Sequence, residues 1–247
     1  MQGYTLTLKE ICDVADGTRL FVFDKPEGYV FKAGQYVALA VPKVDGIETD
    51  MRGLTRSFSI ASAPYESELY FAMRQGESSF KKTFWHLKPA DTVTVTKAVG
   101  FFVLPPENDR RPIVFLAGGI GITPVRSILK QAEHDRSDRH FTLFYANRFA
   151  KDAAFANEMK NLSLMHFRFI SVLSQSEDPC VSTHDERGYL CDTMFEKYLD
   201  DVSGCLYYIV GSPQFSDAMG RALTNLGVTK EQCRIDPFTG LRSQSEK

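Results

Sequence analysis

Apolar and polar residues alternate in short runs through the first hundred residues of the chain. Leu6 and Leu8, for example, alternate with threonines near the start. The same alternation recurs over residues 18–24, 35–42, 55–62, 68–75 and 92–99. Because successive side chains of a strand point to opposite faces, this pattern predicts a six-stranded antiparallel β-barrel. One helix, capped by Ser78 or Ser79 and ending before Pro89, is predicted to interrupt it.

Beyond residue 104 the pattern changes to continuous apolar runs followed by helical spacing. Residues 112–117 are apolar throughout, as a parallel strand buried on both faces would be, and residues 125–135 have one apolar helical face. Strand candidates at 141–147, 167–174 and 205–211 then alternate with helical segments near 152–161, 192–199 and 213–226. This order predicts a parallel, Rossmann-like sheet.

The change of pattern predicts two domains. Residues 105–111 concentrate prolines and charges, which is typical of a linker. We therefore expect a barrel domain over 1–104, an α/β domain over 112–240, and a flexible tail over 241–247.

The composition excludes several classes of protein. With 247 residues, 43% of them hydrophobic, and a net charge of −2, the chain can form a sizeable core and lacks the basic excess of a non-specific nucleic-acid binder. No apolar stretch is long enough for a membrane span, and the first residues do not read as a secretory signal. The five cysteines and five histidines have no metal-binding spacing. We expect a cytoplasmic monomer with no metal.

A glycine-rich octapeptide, AGGIGITP (117–124), stands between a predicted strand and a predicted helix. Gly119 and Gly121 would allow a tight turn and a close approach to a pyrophosphate, so that a Cβ at Gly121 would occupy space the phosphates need. Pro124 stands where the third glycine of a dinucleotide fingerprint would be, at a position suited to start a helix. Alone, the octapeptide is equally compatible with a simple turn between strand and helix.

A second glycine turn follows the strand predicted at 205–211. Gly211, Ser212 and Pro213 lead into a helix that Ser212 can cap. Ligands of open parallel sheets bind beyond the carboxyl ends of the strands, where both turns are predicted to lie. Together the two turns favour a nucleotide site.

The predicted strand at 55–62 carries a third signal. Arg56 and Phe58 stand two residues apart, beside Ser57 and Ser59. An arginine and an aromatic ring with neighbouring hydroxyls can bind a phosphate and a flat ring together, although an ordinary edge strand can have the same residues. Downstream, residues 73–81 supply another arginine, a glycine turn and a helix N-terminus, which we expect to be a second anion site.

The ordered set of motifs resembles the ferredoxin–NADP reductase superfamily of flavoproteins over nearly the whole chain. RSFS (56–59) is similar to the family's RxYS flavin motif, GGIGITP (118–124) to its pyrophosphate loop, and VGSP (210–213) to its CGP motif. Residues 144–155 resemble its second-strand segment. The resemblance implies a barrel that holds FAD, an α/β domain that holds NADPH or NADH, and hydride transfer from the nicotinamide to the flavin.

The resemblance also implies roles for individual residues. Arg56 would contact the FAD pyrophosphate, Phe58 would pack against the isoalloxazine, and Ser59 would hydrogen-bond near flavin N5. Ser59 and Asp236 would be the catalytic residues, and Arg148 would meet the adenosine end of the nicotinamide nucleotide. The implied cofactor-binding set is Arg56, Ser57, Phe58, Ser59, Met73, Arg74, Gly76, Ser78, Ser79, Gly118, Gly119, Gly121, Ile122, Thr123, Pro124, Arg148, Gly211, Ser212, Pro213 and Phe238.

Three positions depart from the family pattern. Phe58 replaces the usual tyrosine, Val210 replaces the cysteine near the nicotinamide, and Asp236 replaces a glutamate. The chain also shows no cysteine spacing for an iron–sulfur cluster, so the next electron acceptor is expected to be a separate molecule.

The resemblance suggests a ferredoxin or a flavodoxin as that acceptor, with a haem protein, free flavin, a ferric chelate or a quinone as alternatives. Two other classes stay open. One is a nucleotide-only dehydrogenase, which would need a proton donor that no Tyr-x-x-x-Lys or His–Asp arrangement supplies. The other is a catalytically weak FAD-binding regulatory subunit, which the departures at Val210 and Asp236 favour.

Overall fold

Two six-stranded sheets, one antiparallel and one parallel, make up the computed structural model of the chain, which describes residues 3–175 and 185–238. The strands of the first sheet are β1 (Tyr4–Ala15), β2 (Thr18–Asp24), β3 (Tyr36–Ala40), β4 (Thr55–Ser59), β5 (Glu68–Arg74) and β6 (Thr92–Val95). Those of the second are β7 (Ile113–Gly118), β8 (Phe141–Asn147), β9 (Phe167–Leu173), β10 (Glu186–Arg187), β11 (Leu206–Gly211) and β12 (Cys233–Pro237). The helices are α1 (Ser79–Trp85), α2 (Ile122–His134), α3 (Ala156–Lys160), α4 (Asp192–Tyr198) and α5 (Pro213–Asn225).

The first sheet has the order β4-β3-β6-β1-β2-β5, and every adjacent pair is antiparallel. The Ala61 amide, just past β4, donates to the Tyr70 carbonyl on β5 at 2.8 Å and so links the two edge strands. Inward side chains of all six strands form one apolar core, as the alternating pattern predicts. The expected six-stranded antiparallel domain is confirmed.

Helix α1 covers one end of this core. The Ser78 side chain accepts from the Lys81 amide at 3.3 Å, which confirms Ser78 as the cap. Phe80 and Phe84, one turn apart, are buried against the strands. The helix therefore sits directly beside β4 and β5.

The second sheet has the order β10-β9-β8-β7-β11-β12 and is parallel throughout. The central strands β7 and β11 are almost wholly buried because helices cover both faces. The predicted parallel sheet is confirmed, and no helix in the described ranges is long and apolar enough to cross a membrane.

Three local differences separate this sheet from its prediction. The edge strands β10 and β12 were not expected, since one has two residues and the other contains two charges and a proline. Helix α3 is shorter than the predicted 152–161, because Ala150–Asp152 form a 3₁₀ turn and Phe155 has a φ of 59°. The tail expected at 241–247 lies outside the described residues.

Hydrogen bonds from Arg139 hold the segment that connects the two sheets. Arg139, with 8% of its surface exposed, donates to the carbonyls of Pro105, Pro106 and Asp109 at 3.3, 2.8 and 2.5 Å. These bonds tie the connecting segment to the loop between α2 and β8. The linker boundaries at 105–111 stay a proposal.

Candidate functional site

A cleft of about 710 Å³ lies between the two sheets. The barrel side comes from β4, β5 and α1, and the opposite side from the turn before α2 and from the end of β12. A volume of this size is typical of small-molecule and cofactor sites. The lining residues are Tyr36, Arg52, Thr55, Arg56, Ser57, Phe58, Ser59, Ala72, Met73, Arg74, Gly76, Glu77, Ser78, Phe80, Lys81, Ile120, Thr123, Asp236 and Phe238.

Arg56 is held in place by the loop that precedes its own strand. Its Nη1 donates to the carbonyls of Arg52, Gly53 and Thr55 at 2.7, 2.8 and 2.8 Å. Nη2 lies 3.4 Å from Asp50 Oδ1. The guanidinium is thus a fixed cation at the cleft, and part of its charge is already opposed by a carboxylate.

Phe58 has one face in the barrel core and one at the cleft. Its ring lies 5.4 Å from that of Phe80 and 5.5 Å from that of Phe84. Ser57 is exposed and Ser59 is 7% exposed, and both line the cleft. The whole RSFS segment is therefore brought to one site, with an aromatic surface and two hydroxyls side by side.

Cationic side chains dominate the barrel side of the cleft. Lys81 lies along Gly76, since a Cβ at that glycine would meet Lys81 Cδ at 2.6 Å. Burial, together with the charge of Arg74, lowers the pKa of Lys81. Among the described residues no carboxylate pairs with Lys81, whereas Glu77 is already paired with Lys82 at 3.0 Å. A half-buried cation that lacks a counter-ion fits a bound phosphate group.

Arg74 reaches across the cleft to the second sheet. Its Nη2 donates to the Asp152 carbonyl at 3.0 Å. Its guanidinium also lies beside the turn before α2, because a Cβ at Gly119 would be 3.8 Å from Arg74 Cζ. Arg74 therefore lies against two parts of the second domain, the turn before α2 and the loop that contains Asp152.

The N-terminus of α1, expected to be an anion site, already holds a carboxylate of the chain. Asp50 Oδ2 accepts from the Ser79 amide at 2.9 Å, and the Asp50 amide donates to Ser79 Oγ at 3.1 Å. The bond from the Ser79 amide lowers the pKa of Asp50. Ser79 is buried by this pair and does not line the cleft, whereas Ser78 does.

The two glycines of the turn before α2 serve different purposes. Gly119 has a φ of 54°, the left-handed conformation that a tight turn needs. Gly121 is fully enclosed, and a Cβ there would lie 2.6 Å from the Val210 carbonyl oxygen of β11. The structure thus requires Gly121 for close packing of turn on strand, a reason different from the space for phosphates expected above. Ile120 and Thr123 are the residues of this turn that line the cleft.

The second glycine turn is packed against the first. Ser212 caps α5, accepting from the Phe215 amide at 3.2 Å, and Pro213 is the first helical residue, as predicted. The Phe215 ring lies over Gly118 and Gly211, since a Cβ at either would meet it at 3.0 or 2.8 Å. Both turns lie at the carboxyl ends of their strands. The first reaches the cleft through Ile120 and Thr123, whereas Gly211, Ser212 and Pro213 of the second do not line it.

Asp236 and Phe238 close the cleft on the side of the second sheet. Burial raises the pKa of Asp236. The Phe238 amide donates to the Gly211 carbonyl at 2.8 Å. Asp236 is the register partner of Val210, so two of the departures from the family pattern are neighbours on adjacent strands. The Val210 side chain is fully buried and offers no group to the cleft.

Ten residues of the implied set do not line the cleft. Seven of them, Ser79, Gly118, Gly119, Gly121, Gly211, Ser212 and Pro213, have been described above, and Ile122, Pro124 and Arg148 are the other three. Ile122 and Pro124 are buried beneath the turn, where Ile122 belongs to the core of the second domain. Arg148 is exposed on the loop after β8, and no ion pair joins it to Asp152 in the described part of the chain. Lys151, the neighbouring cation, pairs with Asp16 of the barrel at 2.9 Å.

Eight lining residues were not predicted from the sequence: Tyr36, Arg52, Thr55, Ala72, Glu77, Phe80, Lys81 and Ile120. Three of them show why. Tyr36 is the register partner of Ser59 on β3, Arg52 lies in the loop that holds Arg56, and Lys81 is in the first turn of α1. Only Lys81 had a usable signal, as a cation just after a glycine turn and a helix cap. The other two reach the cleft through strand pairing and loop folding.

Residues 115–221 match the oxidoreductase NAD-binding domain family. Over 247 aligned residues the chain is 28% identical to the reductase subunit of an aromatic O-demethylase from Amycolatopsis, covering 97% of this chain and 70% of the relative. Over 224 residues it is 29% identical to the reductase component of propane 2-monooxygenase from Rhodococcus jostii, covering 87% and 57%. The chain thus spans between 57% and 70% of the length of these two relatives.

Solved structures show the same fold. A cytochrome P450 reductase from Amycolatopsis superposes with a TM-score of 0.81 at 27% identity, over 96% of this chain and 70% of that one. A ferredoxin NADP⁺ reductase from Neisseria gonorrhoeae, solved with FAD and NADP, superposes with a TM-score of 0.81 at 21% identity, over 96% and 99%. With the antiparallel sheet, the parallel sheet and the cleft between them, these likenesses show that the chain has the two-domain fold of these reductases.

Proposed function

We propose that this chain is an FAD-dependent NAD(P)H oxidoreductase that passes electrons to a separate acceptor. The observation that carries the proposal is the cleft itself. Its barrel side joins the Phe58 ring and two serines to a half-buried Lys81, which no carboxylate of the described residues pairs with. Its other side contains the turn that opens α2. When bound, FAD would supply the hydride acceptor and the capacity to release electrons one at a time.

The chain's own residues bind and orient. Arg56 and Lys81 would hold the pyrophosphate of FAD, while Phe58 would supply an apolar surface for its ring system. Ser59, nearly buried beside that surface, would donate a hydrogen bond at the reacting edge. Hydride transfer needs chiefly proximity and orientation, which two walls fixed against each other provide.

Asp236 would lie beside the reacting atoms. Burial raises its pKa, so this carboxyl takes up a proton more readily than one in water does.

We propose NADPH as the nicotinamide nucleotide, with Arg148 as the cation that meets its 2′-phosphate. Two observations support the assignment. Arg148 is exposed after β8, and Lys151 is engaged by Asp16. NADH is the alternative, since the neighbouring Asp152 would accept a ribose hydroxyl as readily as it would repel a phosphate.

The acceptor that we propose is a small electron-transfer protein such as a ferredoxin or a flavodoxin. Two relatives, the reductase subunit of an aromatic O-demethylase and the reductase component of propane 2-monooxygenase, support a protein acceptor. A haem protein reached without an intermediate carrier is the alternative, which the cytochrome P450 reductase likeness favours.

The proposal is tested on the purified chain reconstituted with FAD. We expect a yellow protein whose visible absorbance bleaches when NADPH or NADH is added without oxygen. A colourless protein that FAD does not convert would indicate a flavin-free dehydrogenase. A yellow protein that neither nucleotide bleaches would indicate a regulatory FAD-binding subunit.

A further inference from the structure

A line of polar contacts joins the two domains along α2, on the side of the molecule behind the cleft. Ser127 Oγ donates to the Ser62 carbonyl at 2.6 Å and accepts from the Gly34 amide at 3.4 Å. Further along the helix, the Tyr65 amide donates to Gln131 Oε1 at 3.2 Å. We call this contact between α2 and residues 61–66 the α2 seam.

Arg126 forms the centre of the α2 seam. Its side chain is 6% exposed, and its Nη1 donates to the Ala61 carbonyl at 2.8 Å and to Glu66 Oε2 at 3.0 Å, both in the barrel domain. Its Nε and Nη2 donate to the Glu158 carboxylate of α3 at 2.8 and 2.7 Å. One guanidinium thus binds one carboxylate from each domain.

Aromatic rings complete the enclosure of this cation. The Tyr70 ring from β5 and the Phe155 ring before α3 lie 5.2 and 5.4 Å from the Arg126 guanidinium carbon. Burial lowers the pKa of Arg126, but the bonds to Glu66 and Glu158 outweigh it and leave the pKa raised. The two carboxylates therefore stabilise the charged form of Arg126 despite its burial.

A buried ion cluster of this kind does more to fix the orientation of the two domains than to stabilise the fold. Replacing such a cluster with apolar residues often costs nothing, whereas removing one member leaves a buried charge without its partner. The planar guanidinium donates its N–H groups in fixed directions, so Glu66 and Glu158 can each occupy one position. Apolar packing between the domains would allow small sliding motions that this cluster forbids.

The α2 seam connects the two walls of the cleft. Residues 61–66 begin two positions after Ser59, the last residue of β4. Helix α2 begins at Ile122, directly after the turn that carries Ile120 to the cleft, and includes Thr123. We infer that Arg126, through Glu66, is a positioning residue that sets β4 against this turn for hydride transfer. The inference rests on the proposed function.

The test uses two variants with the same chemical change. Glu66→Gln weakens the contact between the domains, whereas Glu158→Gln weakens only the contact within the second domain. In anaerobic stopped-flow reduction of the FAD-loaded protein, we expect Glu66→Gln to lower the limiting rate about tenfold while the nucleotide concentration at half-maximal rate stays within about twofold. Glu158→Gln should keep the limiting rate within about twofold of the parent.

A second readout does not depend on activity. The Gly34 amide of the barrel domain donates to Ser127, the residue that follows Arg126 in α2, so its hydrogen exchange reports separation of the barrel from the helix. We expect faster exchange at Gly34 in Glu66→Gln than in Glu158→Gln, with and without FAD. If Glu66→Gln does not fold, Glu66→Asp, which shortens the same carboxylate by one methylene, should show an intermediate loss of rate.

Three outcomes decide the matter. Equal limiting rates in the parent and Glu66→Gln would overturn the inference, and so would equal losses in Glu66→Gln and Glu158→Gln. If neither nucleotide reduces the parent, the proposed function fails. The exchange at Gly34 then still judges the α2 seam, and equal exchange in all three proteins overturns it.

Discussion

Gly121→Ala tests the packing of the nucleotide turn, because the structure gives the added methyl group no room. The new Cβ would lie 2.6 Å from the Val210 oxygen, 2.9 Å from the Val210 carbonyl carbon and 3.1 Å from the Gly211 nitrogen. All three atoms belong to the backbone of β11, which pairs with β7 on one side and β12 on the other. A strand held on both sides cannot yield, so the turn must move away.

Overpacking of this kind costs about 1–3 kcal/mol. In a chain of this size about 2 kcal/mol corresponds to a fall in Tm of roughly 4–8 °C. Displacing the turn also moves Ile120 and Thr123 at the cleft, so the KM for the nicotinamide nucleotide should rise about tenfold or more, whereas bound FAD, held by the barrel, should be retained.

The assay combines calorimetry, flavin content after dialysis, and steady-state kinetics. Gly220→Ala is the matched control, because a Cβ at Gly220 in the middle of α5 meets no atom within 4 Å. That variant should gain about 0.4–1 kcal/mol of stability and keep its KM. If Gly121→Ala matches the parent in both Tm and KM, the packing argument is refuted. Loss of both cofactors would show that the turn supports the whole fold.

Arg56→Ala should lose FAD on dialysis while staying folded. Full flavin occupancy in this variant would mean that Arg56 only holds its own loop in place. Arg110→Ala, which removes an exposed ion pair with Asp138, is the control and should retain FAD. Ser59→Ala should slow anaerobic flavin reduction at saturating nucleotide, with an increase of about 1–3 kcal/mol in activation free energy and little change in FAD binding. An unchanged rate of reduction would contradict the role of the Ser59 hydroxyl. Asp236→Asn should be more stable than the parent at neutral pH, because a carboxyl whose pKa is raised on folding lowers stability once the pH exceeds its pKa in the unfolded chain. The difference in stability should vanish as the pH falls below that unfolded-state pKa. A difference that stays constant with pH would contradict this reasoning. Arg148→Ala should lower kcat/KM for NADPH and leave that for NADH unchanged, whereas equal losses would show that the arginine binds a part common to both nucleotides.

The sequence predicted the fold well where each element buried its own apolar face. Strands such as β2 and β8 match their predicted ranges residue for residue, since alternation or a continuous apolar run marks them from end to end. Strand β12 was not predicted because CRIDP has no clear period, and the segment becomes a strand by pairing with its neighbour β11. An edge strand of this kind is defined by its partner and leaves little trace in its own residues.

The candidate site was predicted as a set of motifs, and the structure brings most of the barrel motifs to one cleft. What could not be predicted is how the two domains pack. The helical pattern of α2 identified its apolar face, but the polar side of the helix gave no sign that Arg126 would be buried against Glu66. Likewise, nothing in the sequence near Ser79 showed that Asp50, 29 positions earlier, would occupy the start of α1.

The central claim is that a nicotinamide nucleotide delivers a hydride directly to FAD across this cleft. The most direct measurement is the primary kinetic isotope effect on anaerobic flavin reduction, with NADPH or NADH deuterated at one or the other face of C4. A cleft with fixed walls presents one face of the nicotinamide to the flavin, so deuterium on that face alone should slow the reduction. The oxidised nucleotide should then have lost that deuterium, because the label is transferred to the flavin. An equal effect from both faces, or none from either, would contradict the account.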